Sequence, residues 1–96
     1  MGLVRRLRWP NRYWVDRDVF VDVLGQTGLR YHEGQRSLLV DSEVGVGSSI
    51  GVWTSSIKWW EGLDDREELA TDERSRILDN IVQALKRGGY NVEVLT

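Results

Sequence analysis

Ninety-six residues with 41% hydrophobic and 29% charged side chains suit one modest globular domain and exclude a disordered chain. With no cysteine, the chain has no disulfides or thiolate metal sites, which excludes a small secreted disulfide scaffold. The net charge of −2 conceals an asymmetry: residues 1–40 hold seven arginines against four acids, and residues 41–96 hold six bases against eleven acids. Such a split can mark two different faces, although two simply solvated halves are the commoner case.

Residues 1–10 begin basic but have no apolar core behind them, so they do not read as a signal peptide. Arg6 stands where a myristoylation site wants Ser or Thr. No apolar run approaches the roughly 20 residues of a membrane span, and the expected location is cytoplasmic. Pro10-Asn11 marks a turn with a short strand on either side. Residues 1–18 are therefore an N-terminal extension or the first strands of the sheet, and residues 19–96 form a single α+β domain.

Val19-Phe20-Val21-Asp22-Val23-Leu24 is rich in β-branched and aromatic residues and predicts a strand with Val19, Val21 and Val23 on one face. Strands follow at Leu29–His32, Arg36–Asp41 and Ser49–Thr54. The short connections between the first three predict antiparallel neighbours. In the last of these strands, Ile50 and Val52 share one face and Trp53 takes the other. Residues 61–70 read as an exposed loop with room for one helical turn. Next comes a helix over 72–87. Thr71 suits the N-cap, Asp72 and Glu73 oppose the positive end of the dipole, and Arg74 leaves the capping box incomplete. Ile77, Leu78, Ile81, Val82 and Leu85 make one apolar stripe, and Gly88-Gly89 supplies the stop. Tyr90–Leu95 alternates at period two as a closing strand. This order predicts an α+β fold: a curved antiparallel sheet of about five or six strands, one main helix packed on one face, then a closing strand.

Little points to catalysis. His32 is the one histidine, and a lone histidine in a strand is more often structural or exposed than a general base. No serine sits in a nucleophile elbow, and zinc or iron sites would need more His or Cys than the chain holds. The acids follow no EF-hand spacing. Gly45–Gly51 imitates a phosphate loop, but a strand follows where a helix is required, so a β-turn or bulge is expected. No cofactor and no metal are implied, and the protein reads as a non-enzyme.

The acidic run is the stronger signal. Glu61, Asp64, Asp65, Glu67, Glu68, Asp72 and Glu73 put seven acids within thirteen residues, with Arg66 the only base among them. A helix N-terminal turn explains Asp72 and Glu73; the other five repel one another. Trp59 and Trp60 adjoin the run, and adjacent residues in extended chain point opposite ways. Aromatics bordered by charges compose a protein-binding patch, so Trp59, Trp60, Glu61, Asp64, Asp65, Glu67 and Glu68 are the candidate partner-binding residues. Against this, tryptophans in a small domain usually enter the core. The N-terminal cluster of Arg5, Arg6, Arg8, Trp9, Arg12, Tyr13 and Trp14 has bases and aromatics suited to nucleic acid. The acidic balance elsewhere and the lack of a nucleic-acid motif disfavour that partner.

Tyr31-x-Glu33-Gly34-x-Arg36-Ser37-Leu38-x-Val40-x-Ser42-Glu43, then Ser56-Ile57-Lys58-x-Trp60, an acidic stretch, Thr71-Asp72-Glu73-x-x-x-Ile77-Leu78-Asp79-Asn80-Ile81 and a closing strand resemble the immunity protein 74 family over about residues 19–95. The resemblance implies a small bacterial α+β domain that binds and neutralises a cognate polymorphic toxin, encoded beside it. The acidic, tryptophan-bearing face suits a basic toxin such as a nuclease. The alternative is a small non-catalytic interaction or regulatory module, a homodimer pairing through an edge strand, with Val92, Val94 and the N-terminal strand as candidate edges.

Overall fold

Apolar side chains at every second position set up the sheet. A computed structural model describes residues 11–62 and 67–96. They form strands β1 (Arg12–Asp16), β2 (Val19–Val23), β3 (Thr27–Glu33), β4 (Arg36–Val44) and β5 (Ser49–Trp53), helix α1 (Thr71–Arg87) and strand β6 (Asn91–Leu95). The strands make one sheet in the order β1-β2-β3-β4-β5-β6. The first five form an antiparallel meander. The sequence-predicted strand before Pro10 lies outside the described residues, and so does the span 63–66 of the 61–70 loop.

The α+β expectation holds, with a refinement at the far edge: β6 pairs with β5 in parallel. The cause is connectivity. A tight turn reverses a strand, but α1 carries the chain back along β5 first, so β6 sets out in the same direction as β5. The sheet is therefore mixed.

Side chains of one parity face α1. Val21, Leu29, Tyr31, Leu38, Val40, Ile50 and Val52 from the sheet meet Ile77, Ile81, Ala84 and Leu85 of the helix, all buried. Leu78 and Val82 flank the stripe, half-buried. Full burial of Ile77, Ile81 or Leu85 is worth about 2 kcal/mol apiece. The sheet curls around α1, so that the helix touches β1 and β2 at one end of the sheet and β6 at the other. Tyr13 of β1 meets Tyr90, just before β6, edge to face at 5.6 Å.

The helix ends differ from each other. Ala70, not Thr71, occupies the N-cap: it is extended (φ −66, ψ 157), and no side chain caps the first turn. Its carbonyl accepts from Arg74 N–H at 2.9 Å, which draws Thr71 into the helix as its first residue. At the C-terminus Gly89 has φ +95. Its N–H donates to Lys86 O, and Tyr90 N–H donates to Leu85 O. These are the two bonds of a Schellman stop, which wants glycine at the left-handed position.

β5 pairs with only the distal part of β4, at Ser42–Val44. The chain after β5 makes a 3-10 turn at Thr54–Ser56 and returns along the remaining edge of β4. There Asp41 N–H donates to Ser56 Oγ at 2.8 Å, and Glu61 N–H donates to Ser37 O at 2.8 Å. This return path carries the two adjacent tryptophans. The Gly45–Ser48 segment is a hairpin turn, closed by Gly45 N–H to Ser49 O.

Candidate partner-binding face

The return path separates the candidate residues. Ile57 and Trp60 turn into the core, Trp60 with 6% of its surface exposed, while Trp59 stays half-buried outside. Opposite orientation of the adjacent pair is therefore found. Trp60 lies near Tyr31 (ring centroids 6.3 Å apart), and the Arg36 guanidinium lies 4.2 Å over its ring. The Lys58 ammonium stands 5.8 Å from the Trp59 ring.

Glu61 is engaged internally. It accepts from Ser37 Oγ at 2.8 Å and from both Arg30 Nε and Nη2. The Ser37 hydrogen bond holds its carboxyl below the ordinary value, with Arg30 helping and burial opposing. Glu67 and Glu68 are exposed, and Glu68 lies 3.8 Å from Arg74. Asp64 and Asp65 lie outside the described residues. Of the seven candidates, Trp60 and Glu61 thus face inward contacts, whereas Trp59, Glu67 and Glu68 lie toward solvent.

Four of the residues quoted for the resemblance, Tyr31, Glu33, Arg36 and Asn80, meet in one internal network with Arg76. Tyr31 is fully buried, and its hydroxyl donates to Glu33 Oε1 at 2.7 Å and accepts from Asn80 Nδ2 at 2.9 Å. Glu33 also accepts from Arg76 at 2.7 Å and from Arg36 at 3.4 Å. Burial pushes the Tyr31 phenol up. Burial also acts to raise the Glu33 carboxyl, but the Arg76 and Tyr31 hydrogen bonds and the nearby guanidiniums outweigh it and hold it low. The network ties β3 and the β3–β4 turn to α1. Its sequence signal was available: Tyr31 and Glu33 are two apart in a strand and so share a face, and Asn80 borders the apolar stripe of α1.

The opposite face of the sheet carries a second set of contacts. Asp22 receives two hydrogen bonds from Arg12, at 2.7 and 3.0 Å. The same guanidinium lies 4.2 Å over Phe20. His32 stacks on Phe20 with centroids 4.3 Å apart, its Nε2 3.3 Å from Asp22 Oδ2 but without hydrogen-bond alignment. Burial pulls the imidazole below its ordinary value. The Asp22 charge opposes that pull, and Arg12 and Arg30 reinforce it. Of the arginine–aromatic cluster near the N-terminus, Arg12 is thus paired with Asp22, and Tyr13 packs against the core. Arg5, Arg6, Arg8 and Trp9 lie outside the described residues.

Among the described residues, no three His, Cys, Asp or Glu side chains are grouped to hold a metal ion. No helix among them is long and apolar enough to cross a membrane. Compared with known protein families, residues 22–95 match Immunity protein 74. No curated protein and no solved structure matches the chain. The match spans most of the chain and takes in β3 to β6, α1 and the Tyr31–Glu33–Asn80 network, so the chain belongs to the immunity protein 74 family.

Proposed function

We propose that this protein is a bacterial immunity protein that binds and neutralises a cognate polymorphic toxin in the cytoplasm, acting as a non-enzymatic inhibitor. The family match over residues 22–95 carries the reading. The toxin is basic, of nuclease type. It is drawn by the acidic segment that follows the tryptophan pair: Trp59, Asp64, Asp65, Glu67 and Glu68 make contact, while Trp60 and Glu61 hold the segment from beneath. Acids opposite a basic surface accelerate encounter, and the aromatic contacts slow release.

The test is co-expression with the toxin encoded beside the gene. Growth should be rescued, and the two proteins should co-purify. Continued toxicity at full immunity-protein expression, with no complex at low salt, would refute the reading. One observation favours self-association as a second reading. β6 ends the sheet among the described residues, and Val94 is 44% exposed there. A doubled mass in solution would support it.

A further inference from the structure

The outer face of the sheet, turned away from α1, treats its charges differently at its two ends. Toward β1 to β3 they are paired internally, Arg12 with Asp22 and Arg30 with Glu61. Toward β4 to β6 the exposed charges are Asp41, Glu43 and Glu93. Among the described residues none of the three has a cation within ion-pair distance. The carboxylate of Glu43 accepts only the indole N–H of Trp53, at 3.1 Å.

Register sets their spacing. Gly51 of β5 pairs with Glu43 on one side and Glu93 on the other. The two carboxylates therefore flank a residue with no side chain, about 10 Å apart across two strand spacings. The side chain of Leu95 leans over Gly51 and floors the space between them: a Cβ at Gly51 would come 2.7 Å from Leu95 Cδ1. Trp53, 37% exposed, stands beside it, its ring tethered by Glu43. Beyond Trp53 the surface continues past Asp41 and Ser55 to Leu39 and Trp59 without a break. Leu39 is half exposed. The face thus has an aromatic and aliphatic middle with Asp41, Glu43 and Glu93 along the β4 to β6 side and the exposed Lys58 at its Trp59 end.

Covering three unpaired carboxylates is costly unless the partner brings the opposite charge. A cation lowered between Glu43 and Glu93 would lie against the Trp53 ring as well, gaining both ion pairing and cation–π attraction. We infer that the outer face of β4, β5 and β6, centred on Trp53 and bounded by Leu39, Asp41, Glu43 and Glu93, is a docking surface for a basic strip of the toxin, with a lysine or arginine of that strip seated between Glu43 and Glu93, over Leu95. The inference rests on the toxin-binding reading and extends it to a surface that adjoins the Trp59–Glu68 segment and is centred on other residues.

The experiment uses the full chain and the purified toxin domain encoded beside its gene. Binding is measured at two salt concentrations for wild type, Glu43→Lys/Glu93→Lys and Glu67→Lys/Glu68→Lys. The Trp53 indole N–H signal is followed by NMR as toxin is added to wild type. The Glu43/Glu93 reversal should weaken binding on the order of a hundredfold, mostly through association rate, and flatten its salt dependence. The indole signal should shift.

If wild type binds and the Glu43/Glu93 variant, at unchanged melting temperature, binds equally well, the inference fails and the toxin-binding reading stands. Loss confined to the Glu67/Glu68 variant has the same meaning. If the reversal unfolds the protein, Glu43→Gln/Glu93→Gln and the indole signal decide, and an unmoved signal overturns the inference. If wild type binds no toxin, both readings fall. A dimer of the protein alone that the reversal dissociates would make a second copy the occupant, against the inference.

Discussion

Glu33 and Tyr31 show how a single buried hydroxyl can organise its surroundings. The Tyr31 hydroxyl is both donor and acceptor, between Glu33 and Asn80. Tyr31→Phe keeps the ring and removes the bridge, leaving the Asn80 amide short of an acceptor. The expected cost is about 1–2 kcal/mol, read as a lower urea midpoint with an unchanged slope. The Glu33 carboxyl lies below its ordinary value of 4.5 in the folded state. Its contribution is therefore complete above pH 4.5 and is lost as pH falls from there through the folded value. The stability difference between wild type and Glu33→Gln should stay constant near neutrality and shrink below pH 4.5; a difference that persists in acid would contradict this. His32 is a base held below 6.5, so its protonation favours the unfolded chain. The wild type should lose stability as pH drops below 6.5 toward the folded value, by an increment that His32→Gln lacks. Urea melts of the two proteins at pH 7.5 and 5.5 would show it.

At the scale of elements, the close of α1 governs how the sheet edges meet. Gly88 lies against the Tyr13 ring so tightly that any Cβ there would collide with it, and Arg87 donates to Val15 O at 2.7 Å. The helix stop is thus also the place where β1 is held. Gly88→Ala should force Tyr13 aside and cost about 1–3 kcal/mol. At roughly 4–8 °C per kcal/mol for a domain of this size, calorimetry should show a clear drop in Tm. An unchanged melt would mean that β1 yields freely. The helix was legible because its stripe, its first-turn acids and its terminal glycines agree with one another. The N-cap was not, because Ala70 offers no side-chain signal and only the preceding chain path decides where helical geometry begins. Strand direction at β6 was hidden for a similar reason: period-two alternation gives the face of a strand and is silent on its orientation.

For the whole molecule, the described residues make a curled sheet whose inner face is filled by α1 and whose edge is β6. Asn91 N–H donates to Ser48 O, which turns the odd-numbered amides of β6 toward β5 and leaves those of Val92 and Val94 on the far side. Hydrogen exchange should therefore alternate along β6, fast at Val92 and Val94 and slow at Glu93. The slowest amides of the molecule should lie in β3 and β4 at its centre. Uniform protection along β6 would show that its far edge is covered, as a strand-paired dimer requires.

The sequence by itself determined the α+β composition, the apolar parity of β2, β5 and β6, the helix with its stop, and the family. These follow from short-range periodicity and from motif residues that fold into one network. Tertiary structure alone decided which of the adjacent tryptophans enters the core, since either parity fits residues 57–62 until they pair with β4. It also decided that Glu61 would be drawn onto Arg30 and Ser37, far away in sequence. Glu43, Gly51 and Glu93 became neighbours for the same reason. Strand pairing joins residues that lie eight and forty-two positions apart along the chain, and no local pattern records that register.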